Sequence, residues 1–228
     1  MREFLNRVDA SSQEALAAAR KPLGPESAPL NVGIMCTTDP CRTIPFLSRF
    51  QTLHPGVGLT LHDLTPMNVV DEMLSGKLDC ALLGLSTSTH ERFDSVLLYK
   101  EPVVVNLARG YRFEKMDRIP LNEIAEERYL DRLSCEFRGV YFELFEERNI
   151  KVWANYRSEW EDCIQNMVLE DMGVALIPEY SIILDSLEHR PVTDPDVTRR
   201  VEIITAAGRA RPPAVDAFIH EATANIWH

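Results

Sequence analysis

Two short stretches of the sequence carry side chains that could bind a small ligand or react with an oxidant. The first holds Thr37, Thr38 and Asp39 just before a proline, and the second is LSCEFRG, which contains Cys135. Both follow apolar segments and precede helical patterns. Hydroxyls and free backbone N–H groups at a helix start can hold a small anion, and a helix start can also lower the pKa of a thiol. Ordinary helix capping is the competing interpretation of the threonines and the aspartate.

Other chemistry finds less support in the sequence. Cys36 and Cys41 have four residues between them, but a zinc site would need two further ligands, and His54 and His62 have ordinary explanations. A reversible disulfide between these cysteines is the better alternative. The sequence has neither a G-x-S-x-G elbow nor a glycine-rich phosphate loop. We therefore expect a binding module and not an enzyme, without a metal or a cofactor.

The elements that must position these residues begin with an alternation of strands and helices. Residues 30–35, 57–64 and 78–85 have the apolar patterns of strands, and two amphipathic helices lie between them. The first helix ends near His54, and Pro66 starts the second, which ends at Gly76. Connections this short require right-handed crossovers and a parallel sheet.

The second half of the chain continues the alternation, with a further helix predicted to begin at Ser134. A closing helix starts at Pro212 or Pro213. The remaining predicted elements are a helix over 2–20, strands over 96–107, 129–133, 151–156 and 173–178, helices after Pro120 and over 159–171, and one or two strands between 191 and 204.

The order of several motifs resembles the effector-binding domain of LysR-type transcription regulators. The motifs are the Val-Gly-Ile strand, the Thr-x-x-Pro turn, FQTLHPGV from Phe50, GKLDCAL from Gly76 and MGVALIP from Met172. The resemblance covers about residues 28–226. It implies an α/β fold like the type 2 periplasmic binding proteins, in which two Rossmann-like subdomains joined by two crossover strands enclose a ligand cleft.

The resemblance also implies a division of the chain. Residues 1–27 correspond to the end of a linker helix, residues 28–104 with 206–228 to the first subdomain, and residues 105–205 to the second. Nothing in the chain resembles a helix-turn-helix, so DNA contact would need a part absent here. The family implies a homodimer, or a tetramer at full length, in which the helix around Phe46 to Phe50 contacts a partner subunit.

Ligand contacts follow from the same resemblance. Members of the family bind effectors through a hydroxyl residue at the first turn, and counting from Pro45 selects Thr38 whereas counting from Pro40 selects Thr37. The full set of candidate ligand-binding residues is Thr37, Thr38, Asp39, Thr65, Pro66, Ser134, Cys135 and Gly173.

The stretch around Cys135 resembles the OxyR-type, peroxide-sensing branch of the family. In that branch a peroxide-reactive cysteine stands at this position, which makes Cys135 a redox candidate. The resolving cysteine nine residues later is replaced by Leu144, which argues against an intramolecular switch. A thiol-based sensor is thus one alternative, and a stand-alone solute-binding protein is another.

Composition agrees with a regulatory module. The chain has 35 acidic and 24 basic residues and a net charge of −11, which disfavours direct binding to DNA phosphates. It contains neither a membrane-spanning apolar run nor a secretory signal pattern. Five cysteines without a disulfide pattern favour a reducing cytoplasm. A small-molecule effector is the expected partner, and no membrane contact is expected.

Overall fold

A computed structural model describes residues 28–85 and 91–227 of the chain. The helix predicted over 2–20 and the linker assignment of 1–27 lie outside these residues. No helix among the described residues is both long and apolar enough to cross a membrane.

The first half of the described chain has the predicted alternation of strands and helices. Its elements are β1 (Ala28–Met35), α1 (Pro40–Leu53), β2 (Val57–Leu64), α2 (Val69–Leu74) and β3 (Cys80–Leu85). Strand β1 pairs in parallel with both β2 and β3. Gly33 is needed in β1 because an added Cβ would lie 2.4 Å from the Leu64 side chain. Because of this close approach, the carboxyl end of β1 lies against β2, and the turn at Thr37 lies at one edge of the sheet.

Two long strands connect the halves of the molecule. They are β4 (Phe93–Leu107) and β10 (Thr198–Ala206), which run antiparallel to each other. Strand β10 also pairs with β3, so it joins the first sheet from the side opposite β2. The second half of β4 pairs instead with β8 (Ala175–Pro178) and β9 (Glu188–Thr193). This pairing confirms the expected crossover by two strands.

The second half of the chain forms its own layer of strands and helices. Its further elements are β5 (Ile119–Pro120), a 3-10 turn (Leu121–Glu126), β6 (Arg128–Arg132), α3 (Arg138–Glu147), β7 (Trp153–Ser158), α4 (Glu161–Leu169) and a second 3-10 turn (Glu179–Ser181). Strands β6 and β7 are parallel. The closing helix α5 (Pro213–Ala224) returns to the first half, where Phe218 packs between Phe46 and Phe50 of α1.

The buried side chains separate into two groups, which define the lobes. The first lobe contains the clusters around Phe50 and Met73, and the second contains the clusters around Phe137 and Ile164. Ile203 and Ile204 pack in the first lobe because β10 returns beside β3, whereas the sequence-based division placed residues up to 205 in the second subdomain. The boundaries themselves stay a prediction.

One predicted helix start is wrong. Helix α3 begins at Arg138 and not at Ser134, because Cys135 and Phe137 both pack into one buried cluster. In a helix, residues two positions apart point to nearly opposite sides, so the chain has to turn before the helix starts. The turn is closed by hydrogen bonds from Cys135 N to the Arg132 carbonyl (3.4 Å) and from Arg138 N to the Cys135 carbonyl (3.1 Å).

Candidate functional site

A cavity of about 330 Å³ lies between the two lobes. The first lobe contributes the turn after β1, and the second contributes the start of α4 and the turn before it. Its lining residues are Cys36, Thr37, Thr38, Asp39, Pro40, Asp63, Arg132, Glu159, Trp160, Glu161, Asp162, Ser181 and Ile183. The predicted Thr37, Thr38 and Asp39 are therefore together at the cavity, on the carboxyl side of a parallel strand.

The hydroxyl of Thr37 is fully engaged by the protein. It donates to the carboxylate of Glu136 at 2.7 Å and accepts from Nη1 of Arg199 at 2.8 Å. The carbonyl oxygen of Thr37 accepts from Oγ of Ser181 at 2.6 Å and from Nη2 of Arg199 at 3.0 Å. Because Glu136 and Ser181 come from the second lobe, Thr37 joins the two lobes at the base of the cavity.

Arg199 is the centre of this network and is 0% exposed. Its Nε donates to Glu101 at 2.8 Å, and its Nη1 donates to Glu136 at 2.7 Å. Burial alone would lower the pKa of Arg199, but the negative charges of Glu136 and Glu101 outweigh it and raise that pKa. Burial raises the pKa of Glu101, and the attraction of Arg199 opposes the rise. Arg199 is thus held charged between two carboxylates.

Thr38 differs from its neighbour although both are buried. Its side chain is 6% exposed, and Oγ1 has no hydrogen-bond partner among the described residues. Asp39 caps α1, since its Oδ1 accepts from Cys41 N at 2.7 Å, and its carboxylate lies 3.3 Å from Arg42. Asp39 thus has a structural role, whereas the Thr38 hydroxyl is available to form a hydrogen bond with a ligand.

The opposite wall of the cavity carries a second buried ion pair. Arg132 is 5% exposed, and its Nη1 donates to Glu161 at 2.6 Å. Its Nη2 contacts Sγ of Cys36 at 3.3 Å, while its Nε is buried without a partner among the described residues. Burial raises the pKa of Glu161, and Arg132 opposes the rise. The Cys36 thiol also donates to the Ser134 carbonyl at 3.4 Å.

The other predicted ligand contacts do not line the cavity in the part of the chain that the structure describes. Thr65 and Pro66 belong to the turn before α2, where the Thr65 backbone N–H donates to Asn68 Oδ1 at 2.8 Å. Ser134 reaches the site only through its carbonyl group. Gly173 lies against β6, where an added Cβ would be 2.0 Å from the Arg128 carbonyl oxygen. These residues shape the surrounding turns.

Cys135 is in the core of the second lobe. Its side chain is 7% exposed and packs in the same cluster as Phe137 and Tyr141. Burial raises the pKa of the Cys135 thiol, and the negative charge of Glu136 raises it further. A hydrogen bond with the Phe137 backbone lowers this pKa, but burial outweighs it, so the net shift is opposite to the expected one.

The remaining cysteines are also free thiols, including Cys36 and Cys41. In the described ranges, no three His, Cys, Asp or Glu side chains are grouped as metal ligands would be.

Sequence reasoning missed the charged residues of the site, which are Glu101, Arg132, Glu136, Glu161 and Arg199. Their sequence signal is weak, because three of them stand beside another charge in their strands: Glu101 follows Lys100 in β4, Arg132 follows Asp131 in β6 and Arg199 precedes Arg200 in β10. Only the fold separates the buried charges, which need partners, from the exposed ones.

Comparisons with known proteins agree with this geometry. The family model described as "LysR substrate binding domain" matches residues 23–226. The hydrogen peroxide-inducible genes activator of Dickeya chrysanthemi is 22% identical over 191 residues, which cover 80% of this chain and 61% of that protein. The chain thus spans about three fifths of the length of this relative.

Solved structures show the same fold. The reduced OxyR regulatory domain from Pseudomonas aeruginosa has a TM-score of 0.74 at 20% identity and covers 89% of this chain and 100% of that one. The CcmR regulatory domain of Synechocystis PCC6803, in complex with 2-PG, has a TM-score of 0.78 at 17% identity over 86% of this chain and 96% of that one. These relatives are regulators and not enzymes. Given the family match over nearly its whole length, the chain belongs to the LysR substrate-binding domain family.

Proposed function

We propose that the chain is the effector-sensing part of a LysR-type transcription regulator. The observation that carries the proposal is the cavity between the lobes, with Thr38 at its wall and the buried Thr38 hydroxyl unpartnered within the described part of the chain. A buried hydroxyl without a hydrogen bond costs free energy, which a ligand that supplies the bond would recover. A small molecule is therefore the expected occupant, and Thr38 rather than Thr37 is the expected contact.

The mechanism follows from the origin of the lining residues. A ligand that touches Thr38 and Trp160 contacts both lobes, so its binding favours one relative arrangement of the lobes. The arrangement would be passed to a DNA-binding part outside these residues, in the cytoplasm where DNA is found. Reciprocity requires that DNA binding and effector binding influence each other to the same extent.

Subunit contacts belong to the same proposal. Phe46 and Phe50 are buried inside the first lobe and cannot contact a partner, but Ile44 is 52% exposed on one flank of α1 and Leu53 is 54% exposed on the opposite flank. We place the homodimer contact on the flank that carries Ile44. Replacing Ile44 with Asp should shift the molar mass in light scattering toward the monomer, and an unchanged dimer would place the contact elsewhere.

The effector proposal is tested by thermal shift with the purified chain. A bound ligand stabilises the folded state by RT ln(1 + [L]/Kd), about 2.7 kcal/mol at a hundredfold excess over Kd. Compounds that raise Tm for the natural chain but not for Thr38→Trp, which fills the cavity, bind at the proposed site. If no small molecule shows this difference, effector sensing at this cavity is refuted.

A further inference from the structure

The charges around the cavity are unequal in sign. Among the described residues that line it, Arg132 is the only basic side chain, whereas five are acidic. The acidic residues are Asp39, Asp63, Glu159, Glu161 and Asp162. This excess of acidic side chains affects which class of molecule can enter the cavity.

The positive charges near the cavity are already neutralised. Arg132 is paired with Glu161 at 2.6 Å, and Arg199 is paired with both Glu101 and Glu136. An anionic ligand would therefore have to displace a buried carboxylate, and displacement of one partner from a buried ion pair is strongly unfavourable. The sequence suggested the turn at Thr37 as a site for a small anion. In the structure the carboxylate of the protein's own Glu136 occupies that place.

The acidic side chains at the mouth are not neutralised in this way. Asp63, Glu159 and Asp162 are exposed, and none of them forms an ion pair with a described residue. Like charges grouped at the mouth of a concave site raise the local concentration of oppositely charged molecules. The mouth of this cavity attracts cations.

An aromatic side chain lies among these carboxylates. Trp160 stands between Glu159 and Glu161 in the sequence, lines the cavity and is 71% exposed. The face of an indole ring attracts ammonium and guanidinium groups more strongly than any other side-chain ring. Carboxylates beside an indole form a suitable surrounding for an organic cation.

A second and independent observation concerns the wall behind the mouth. Thr38 and Arg132 line the cavity and are each more than nine-tenths buried, and Thr38 Oγ1 and Arg132 Nε have no partner among the described residues. The Nε–H group of an arginine can only donate, and a threonine hydroxyl can donate as well. The inner end of the ligand should therefore present an oxygen acceptor.

We propose that the effector is a small protonated amine that also carries an uncharged oxygen acceptor, as an amino alcohol or an amino acid amide does. Its ammonium group lies at the mouth beside Glu159, Trp160 and Asp162, and its oxygen accepts from Arg132 and Thr38. This assignment rests on the proposed effector-sensing function and specifies the ligand class for the same cavity.

The test compares three panels of compounds of equal size in a thermal-shift screen. The panels contain amino alcohols with amino acid amides, uncharged alcohols, and carboxylic acids without an amine. Thr38→Trp identifies the compounds that bind at the cavity. Cavity hits concentrated among the amines support the proposal. Cavity hits concentrated among the acids or the alcohols overturn it and leave effector sensing intact, while the absence of cavity hits in all panels overturns both.

A charge variant sharpens the result. Asp63→Asn, Glu159→Gln and Asp162→Asn together should weaken the binding of the best amine about tenfold at low salt, since exposed charge pairs contribute modestly each. The matched control neutralises Glu143, Glu146 and Glu147 on α3, which are exposed and do not line the cavity. An equal loss of affinity in the two triple variants, measured by calorimetry, would contradict a cation at the mouth.

Discussion

Thr37 and Thr38 have the same side chain and different hydrogen-bond surroundings. The Thr37 hydroxyl bonds to charged Glu136 and Arg199, and a hydrogen bond to a charged group contributes about 1.5–3 kcal/mol. The variant Thr37→Val should therefore lower the free energy of unfolding by about that amount. Thr38→Val should leave it unchanged or raise it, because the Thr38 hydroxyl is buried and no residue that the structure describes bonds to it.

Urea unfolding of the two variants measures this difference under identical conditions. The two substitutions have the same shape and are adjacent, so each serves as the control of the other. Equal destabilisation by both would contradict the assignment of the two hydroxyls. The sequence could not separate these threonines, because counting from Pro40 selects Thr37 whereas counting from Pro45 selects Thr38. The partners of the Thr37 hydroxyl lie far along the chain, for example at a separation of 99 for Glu136.

Cys135 and Cys41 provide a second prediction for single residues. Cys135 is buried and burial raises its pKa, whereas Cys41 is exposed. The thiolate is the reactive form, so iodoacetamide should label Cys41 at least tenfold faster than Cys135 at pH 8 in the folded chain. Mass mapping of the labelled peptides measures both rates. Comparable labelling of Cys135 would contradict the burial described here and would reopen its role in redox sensing.

At the scale of elements, the contact between β6 and the chain entering β8 depends on Gly173. An added Cβ would lie 2.0 Å from the Arg128 carbonyl, where Val174 N also donates to that oxygen at 2.9 Å. Gly173→Ala should therefore destabilise the chain by about 3 kcal/mol or more, since backbone has to move to relieve the clash.

Gly139 in α3 is the matched control. An added Cβ there meets nothing within 4 Å, and alanine is favoured over glycine in helices. Gly139→Ala should therefore raise stability by about 0.5–1 kcal/mol. Thermal unfolding of both variants measures these changes in stability. If Gly173→Ala leaves the stability unchanged, β6 and β8 can separate freely.

The elements themselves could largely be predicted because their apolar patterns are regular. In β1 the apolar pattern coincides with the buried face, and in α1 and β2 it does so apart from Ile44 and Leu61, which are 52% and 44% exposed, so the alternation of strands and helices was recognisable. The start of α3 was not recognisable from the sequence. Ser134 and Cys135 fit a helix locally, and only packing with Tyr141 and Phe145 excludes a helical conformation there. Tertiary packing decides helix ends more often than local preference does.

At the scale of the whole molecule, Glu136 holds the lobes together. It comes from the second lobe and bonds to Thr37 and Arg199 of the first. In the variant Glu136→Gln the amide keeps the shape but loses the charge, and Arg199 retains only Glu101. We expect the peptides over residues 36–39 to exchange amide hydrogens about tenfold faster. The reason is that the free energy needed to separate the lobes falls by the contribution of one charged hydrogen bond.

Glu143→Gln is the control, because Glu143 lies on the exposed side of α3 away from the cavity. Unchanged exchange in Glu136→Gln would show that other contacts hold the lobes, such as Arg42 over the ring of Tyr180 at 3.5 Å.

The position of the cavity could be predicted from the sequence, since strand ends and turns indicate it. Its charge could not, because each ion pair forms between residues distant in the chain.

The complete burial of Arg199 has a consequence for how the molecule responds to its surroundings. Dissolved salt screens charges that face water, with a Debye length of about 8 Å at physiological ionic strength, but it has little access to a guanidinium enclosed by protein. Fluctuations in cellular potassium or osmolarity should therefore leave the resting geometry unaltered. A regulator built this way would keep its resting geometry under ionic stress, while the exposed charges at the cavity mouth would still be screened.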